Sequence, residues 1–203
     1  FYETFGRSQY AEEAQYMSAY SLYKDSPLYN LDQTSTATAI DALQSFVNAY
    51  PQSKFREEAS GILVDLRQKL EKKAYEKAIL YQKTSAASIL NYRSAVIAFN
   101  NFQREFPDSE YNEDIAFRKV QAQHDYAKNS SPGKQKERYQ EAMSFYQSFI
   151  DKYPNSTLLR RAEKFYEDSQ QAVETLEKQE QLAKQQTPAA PDSKTGKLGG
   201  SNN

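Results

Sequence analysis

The sequence predicts an all-α solenoid of antiparallel helix pairs, and three observations carry that prediction. The first is a recurring turn, aromatic-Pro-x-Ser, at Tyr50-Pro51-Gln52-Ser53, Phe106-Pro107-Asp108-Ser109 and Tyr153-Pro154-Asn155-Ser156, with a degenerate copy at Phe5-Gly6-Arg7-Ser8. The second is a fixed pattern ahead of each Pro. Ala39, Ala95 and Ala142 stand twelve residues before it, Leu43, Phe99 and Tyr146 eight before, and Phe46, Phe102 and Phe149 five before. The third is apolar spacing of three and four residues between the turns, the period of a helix with one buried face.

Each part of the turn has a cause. Pro cannot continue a helix and pushes the residue before it out of the helical region. The Ser two positions on can cap the next helix. Acids follow in that helix's opening turns, where they meet the positive end of the dipole: Glu12 and Glu13, Glu57 and Glu58, Glu113 and Asp114. Their recurrence at equivalent positions makes them structural rather than an acid–base pair. The last copy breaks the rule, with Arg160 and Arg161 in place of the acids. The small-large-large-Pro spacing is that of the second helix of a tetratricopeptide-type (TPR) hairpin. The predicted architecture is therefore a TPR-like α-solenoid of antiparallel helix pairs with one long connecting helix. Such solenoids are usually binding scaffolds.

Bulk properties agree. The chain has 203 residues; 26 Lys+Arg nearly balance 27 Asp+Glu, so charge gives no reason to expect nucleic acid or an anionic membrane surface. An apolar fraction of 38% suits an open array. No apolar run approaches the ~18–20 residues that span a bilayer. The absence of Cys excludes disulfides and thiolate sites in this sequence. No glycine-rich phosphate loop and no metal-ligand cluster is present, so no cofactor or metal is expected. The single His124, in the polar stretch Gln121 to Asp125, reads as a surface residue. The chain opens in mid-repeat, at the end of a second helix, and is read as part of a longer protein.

Seven helices are expected: about Ser8 to Lys24, Thr36 to Tyr50, Ser53 to Thr84, Ser88 to Phe106, Ser109 to Asn129, Lys134 to Tyr153, and one beginning near Ser156. Asp25 to Ser35 is a loop, and Ser131 and Pro132 mark a helix start. No Pro interrupts the third helix, whose second half, from about Glu76, takes the place of the next hairpin's first helix. This accounts for the 56 residues between Pro51 and Pro107, beyond the ~34 of a standard repeat. Gly61 costs up to about 1 kcal/mol there. The apolar stripe of the seventh helix fades after Leu176. The expected division is a repeat domain over 1–186 and a flexible polar tail over 187–203. The 16 Tyr and 11 Phe fit packing in half-wet grooves. The run Arg67, Lys69, Lys72, Lys73, Lys77 reads as a solvated face, with a protein-contact surface as the alternative.

Several of these residues resemble one family. Ser26-Pro27, Leu31-Asp32-Gln33-Thr34, Ala39-Ile40 and the Phe46 to Ser53 turn are similar to the middle of BamD proteins. Leu63 to Leu70, with Tyr75 and Tyr81, resembles that family's long connecting helix. The tract Glu137-Arg138-Tyr139-Gln140-Glu141-Ala142 through Tyr153-Pro154 resembles BamD proteins of the Bacteroidetes type. The likeness covers about Ser8 to Leu176. It implies a lipoprotein held at the periplasmic face of the outer membrane by an acylated N-terminal Cys that lies outside this sequence. It implies a non-catalytic subunit of the β-barrel assembly (BAM) complex. Its implied partners are the periplasmic (POTRA) domains of a BamA-like barrel protein, other BAM lipoproteins and unfolded outer-membrane proteins.

On that reading the candidate contacts are Tyr92 and Arg93 on the fourth helix, Arg118 and Lys119 on the fifth, and Arg160 and Arg161 on the seventh. The bland alternative is ordinary surface charge. A second reading is a TPR adaptor of another envelope or cytosolic complex, although the regular Lys/Asn clamp of a peptide-gripping co-chaperone is not found. An enzyme would need a further domain with converging groups in a pocket, for which these residues leave no room.

Overall fold

The computed structural model describes residues 1–186. Within them lie seven α-helices: α1 (Ala11–Lys24), α2 (Thr34–Ala49), α3 (Arg56–Lys83), α4 (Ile89–Glu105), α5 (Asn112–Lys128), α6 (Pro132–Lys152) and α7 (Leu159–Gln186). A single 3-10 turn, Ser85–Ala87, joins α3 to α4. No strand occurs among the described residues. The predicted helices and the TPR-like arrangement are those observed. The expected tail, 187–203, lies outside the described residues.

The repeated turn has one geometry. Tyr50, Phe106 and Tyr153 share nearly one backbone conformation (φ −127, −126, −128; ψ 68, 67, 60), the non-helical state that a following Pro imposes. Each backbone N–H still reaches back four residues, to Phe46, Phe102 and Phe149. Phe5 does the same to Phe1, so the degenerate copy is a true fourth one. The serine N–H then closes the turn on the aromatic carbonyl, as in Ser53 to Tyr50 at 3.1 Å. Here the expectation is corrected. Each next helix begins three residues after its Ser, because the Ser Oγ accepts the N–H two residues on (Phe55 3.0 Å, Tyr111 3.0 Å, Leu158 3.0 Å) in a separate turn ahead of the helix. Ser131 does precede α6 with Pro132 in its first turn, but its side chain makes no cap bond.

The core forms three clusters strung along the chain. One joins α1, α2 and the first half of α3 around Leu43, Phe46 and Leu66; one joins the second half of α3 with α4 and α5 around Phe99 and Phe102; one joins α5, α6 and α7 around Phe117 and Phe149. All nine small-large-large positions ahead of the prolines are buried. Ala39, Ala95 and Ala142 let the helices approach closely, so a Leu there would overpack by ~1–3 kcal/mol. Helix α3, 28 residues and about 42 Å long at 1.5 Å per residue, belongs to two clusters. It therefore fixes one helix pair to the next, as its length predicts.

His124 is not a surface residue. It is 8% exposed, between Tyr139 and Phe165, and its Nδ1 lies 3.0 Å from Ser169 Oγ. The polar stretch around it is misleading because α5 is packed by α4, α6 and α7. Gln123 is buried too, its amide donating to Arg138 O (3.2 Å) and Glu141 Oε2 (2.8 Å). Burial is tolerated because these polar groups are partnered.

Candidate protein-interaction surface

The surface is held in shape by three equivalent clamps. In each, the turn Ser donates to a Glu on the preceding first helix: Ser53 to Glu12 (2.6 Å), Ser109 to Glu71, and Ser156 to Glu113 (2.5 Å). A charge-assisted bond of this kind is about twice as strong as a neutral one. Two of the recurrent acids, Glu12 and Glu113, thus have a second structural use beyond the helix dipole, whereas in α3 the clamp acid is Glu71, in mid-helix. Four residues after each Glu stands a ring, Tyr16, Tyr75 or Phe117, and seven after stands Ala19, Ala78 or Val120, all three buried. The ring meets the large residue five before the Pro: Tyr16 with Phe46 at 5.4 Å, Tyr75 with Phe102 at 6.3 Å, Phe117 with Phe149 at 6.5 Å. The first two also stack on the residue two after the turn Ser, Phe55 at 4.4 Å and Tyr111 at 4.3 Å. Such pairs contribute ~0.5–1.5 kcal/mol beyond area burial.

The clamp varies at the fifth position after the turn Ser. Asp114 accepts from the Tyr75 hydroxyl (2.8 Å), and burial together with this carboxylate raises that phenol to about 12. Glu58 faces Tyr16, whose hydroxyl is buried without a hydrogen-bond partner and whose pKa is raised chiefly by burial. Arg161 instead lies over the Phe117 ring, 4.7 Å from its centroid. Its Arg and that ring without a hydroxyl change together.

The lysine run is corrected as well. Three of its members hold the loop between α1 and α2. Lys69 donates to Ser26 Oγ (2.7 Å), Lys72 lies over the Tyr29 ring (4.6 Å), and Lys73 donates to Leu31 O (2.5 Å). From Ser26 the bonds run inward to Thr36 (2.6 Å), then to Gln33 Oε1 (2.8 Å), whose amide donates to Leu28 O (2.7 Å). The loop is short of apolar contacts, and positive side chains satisfy its carbonyls. Of the residues that carry the family likeness, Ser26 and Gln33 belong to this relay, and Asp32 Oδ1 accepts the Thr34 N–H beside it (3.0 Å).

The six candidate residues are not brought into one patch. Arg118 bridges Asp114 (2.5 Å) and Gln82 of α3 (3.1 Å). Its neighbour Lys119 points elsewhere, to Asn100 (3.2 Å) and Gln103 (2.9 Å) of α4 and over Phe145 of α6. Burial pulls its ammonium below the usual lysine range. Arg161 is taken by Phe117, and Tyr92 is half-buried. Arg93 and Arg160 are exposed and have no bonded partner among the described residues. Not singled out from the sequence is an exposed apolar set at the α3–α4 end: Leu80, Leu90 and Ile97. Tyr81 and Ile97 line a concave groove between α3 and α4 with Lys77 at its rim. The signal was available as apolar residues off the buried stripe.

Among the described residues no helix is long and apolar enough to cross a membrane, and no group of His, Cys, Asp or Glu is placed to hold a metal ion. No curated protein sequence matches the chain at a significant level. Residues 133–156, which run from the second residue of α6 through the turn after it, match the tetratricopeptide repeat family. Residues 1–90, from the first turn through α3, match the family YfiO, outer membrane lipoprotein, to which BamD corresponds; this links the protein to the outer membrane. The protein is thus BamD-like, a tetratricopeptide-repeat protein whose first 90 residues are similar to the YfiO outer membrane lipoproteins.

Proposed function

We propose that this protein is a non-catalytic scaffold subunit of the outer-membrane β-barrel assembly complex. On this reading it binds the periplasmic domains of a BamA-like barrel protein, works beside other lipoproteins of the complex, and assists insertion of unfolded outer-membrane proteins. It sits at the periplasmic face, anchored by a lipid outside the sequence. The match of residues 1–90 to outer membrane lipoproteins is the observation that carries this reading. The three clamps support it physically, because a platform held by repeated Ser–Glu and ring contacts presents its exposed groups at fixed spacing.

Of the candidate contacts, Arg93 and Arg160 are the strongest, since their charge is exposed and unpaired within the described chain. Charges of this kind orient a partner and speed its association more than they add affinity. Tyr92 flanks Arg93, while Arg118, Lys119 and Arg161 act by shaping the surface that a partner meets. The test is titration of the purified protein with the periplasmic domains of the barrel protein from the same cell. Saturable binding that weakens at least tenfold in Arg93→Glu/Arg160→Glu, and whose association rate falls with added salt, is expected. No binding by the unaltered chain would overturn the reading.

A further inference from the structure

Helix α3 carries a vacant copy of the clamp. Counting from the turn Ser, the clamp Glu, ring and small residue stand at positions four, eight and eleven in α1 (Glu12, Tyr16, Ala19) and in α5 (Glu113, Phe117, Val120). In α3 those positions are Glu57, Gly61 and Val64, yet the clamp that holds Ser109 uses Glu71, Tyr75 and Ala78. The shift is fourteen residues, close to four helical turns, so both sets lie on one face about 21 Å apart. The chain skips the helix and turn that would cover the first set. All three residues there are exposed, Val64 at 55%. A Cβ added at Gly61 would meet nothing within 4 Å. Glu57 has no ion-pair or hydrogen-bond partner among the described residues. Concave surfaces flank the face at both ends, one beside Pro51 and Ser60, the other beside Gln68 and Ser109.

We propose that this face is a docking slot for the turn that leads into a helix of a partner protein, carrying Ser or Thr followed two residues later by an aromatic. The chain itself shows what such a position receives. In its filled copies the Glu takes a Ser hydroxyl, and in two of the three an aromatic two residues after that Ser stacks on the first helix's ring. In the vacant copy the carboxylate and the apolar residue remain, but Gly61 removes the ring. The partner's aromatic therefore lies directly against the α3 backbone, with Val64 as its floor. The unpaired carboxylate of Glu57 complements the positive end of the incoming helix. This inference does not rest on the reading of Arg93 and Arg160, and its failure leaves that reading untouched.

The probe is a synthetic peptide with the sequence of residues 106–121, which contains the turn Ser109 and Tyr111 ahead of a helix. It is labelled and titrated with the whole protein. Saturable binding is expected, weakened at least tenfold by Gly61→Trp and severalfold by Glu57→Gln. Replacing Ser109 or Tyr111 of the peptide by Ala should weaken it comparably. Gly61→Ala is the folding control: it should retain binding and melt at or above the temperature of the unaltered protein, because Ala favours the helix that Gly weakens. Lack of saturable binding, or binding indifferent to Gly61→Trp and Glu57→Gln, overturns the slot. Binding indifferent to the loss of Tyr111 overturns the insertion of a ring. Self-association of the protein that is abolished by Gly61→Trp would give the slot to a second copy and overturn the proposed partner.

Discussion

Arg161 covers the Phe117 ring at the position where, one clamp earlier, Asp114 accepts a hydrogen bond from the Tyr75 hydroxyl. Phenol with carboxylate has been exchanged for phenyl with guanidinium, and the ring stays in place. Arg161→Asp should therefore cost ~0.5–1 kcal/mol, the range of a partly exposed cation–π contact. Adding Phe117→Tyr should restore part of the loss, because a hydroxyl donor then meets the new carboxylate. A double-mutant cycle from urea denaturation reads the coupling, and simple additivity of the two changes would speak against a shared role.

The turn serines are predicted to be equivalent. Ser53, Ser109 and Ser156 each accept one backbone N–H and donate to one carboxylate. Replacement by Ala should cost ~1–2 kcal/mol at each site, since the partners keep some access to water. Thr should be tolerated better than Ala. Equilibrium unfolding of the three Ala variants tests this, and a negligible loss at any one would remove that turn from the set.

Lys69 begins the bond relay that fixes the loop between α1 and α2. Lys69→Met keeps the apolar stem and removes the donor to Ser26. Amide hydrogen exchange over residues 26–34 should quicken in this variant, while the α4–α6 amides keep their protection. Unchanged exchange in the loop would assign its order to the Gln33 contacts alone.

His124 gives a pH dependence with a defined sign. Burial lowers its pKa below the ordinary value near 6.5. The unfolded chain therefore takes up a proton, as pH falls through the mid-sixes, that the folded chain resists. Stability is full above that point and declines below it. Asp125, Asp168 and Lys128 also face the imidazole. Asp125, raised by burial, acts in the opposite sense, but at lower pH where carboxylates titrate. Melting at pH 7.5 and 5.5 should show a larger drop for the native chain than for His124→Gln. Equal drops would mean that the imidazole is free to charge in the fold.

The sequence made the architecture legible because the solenoid writes its rule several times. Tyr50, Phe106 and Tyr153 all precede Pro, and all three adopt the same backbone state. The expected starts of α1, α3, α5 and α7 lie three residues early because a Ser that opens a turn and a Ser that caps a helix, as Ser88 does for α4, look alike in one dimension. His124 and Lys69 were misread for a related reason. Local polarity says what a side chain is, and only the packing of α5 or the position of the α1–α2 loop says what surrounds it. The candidate contacts were chosen by charge, but charge does not tell Arg160, which is unpartnered, from Arg118, which is tied to Asp114 and Gln82.

The central claim is that this BamD-like platform works bound to a barrel-assembly protein, and affinity purification of the tagged full-length protein from solubilised membranes tests it most directly. A BamA-like barrel protein should co-elute in fixed proportion through a second sizing step. Elution of the protein alone, or only with soluble cytosolic partners, would contradict the account.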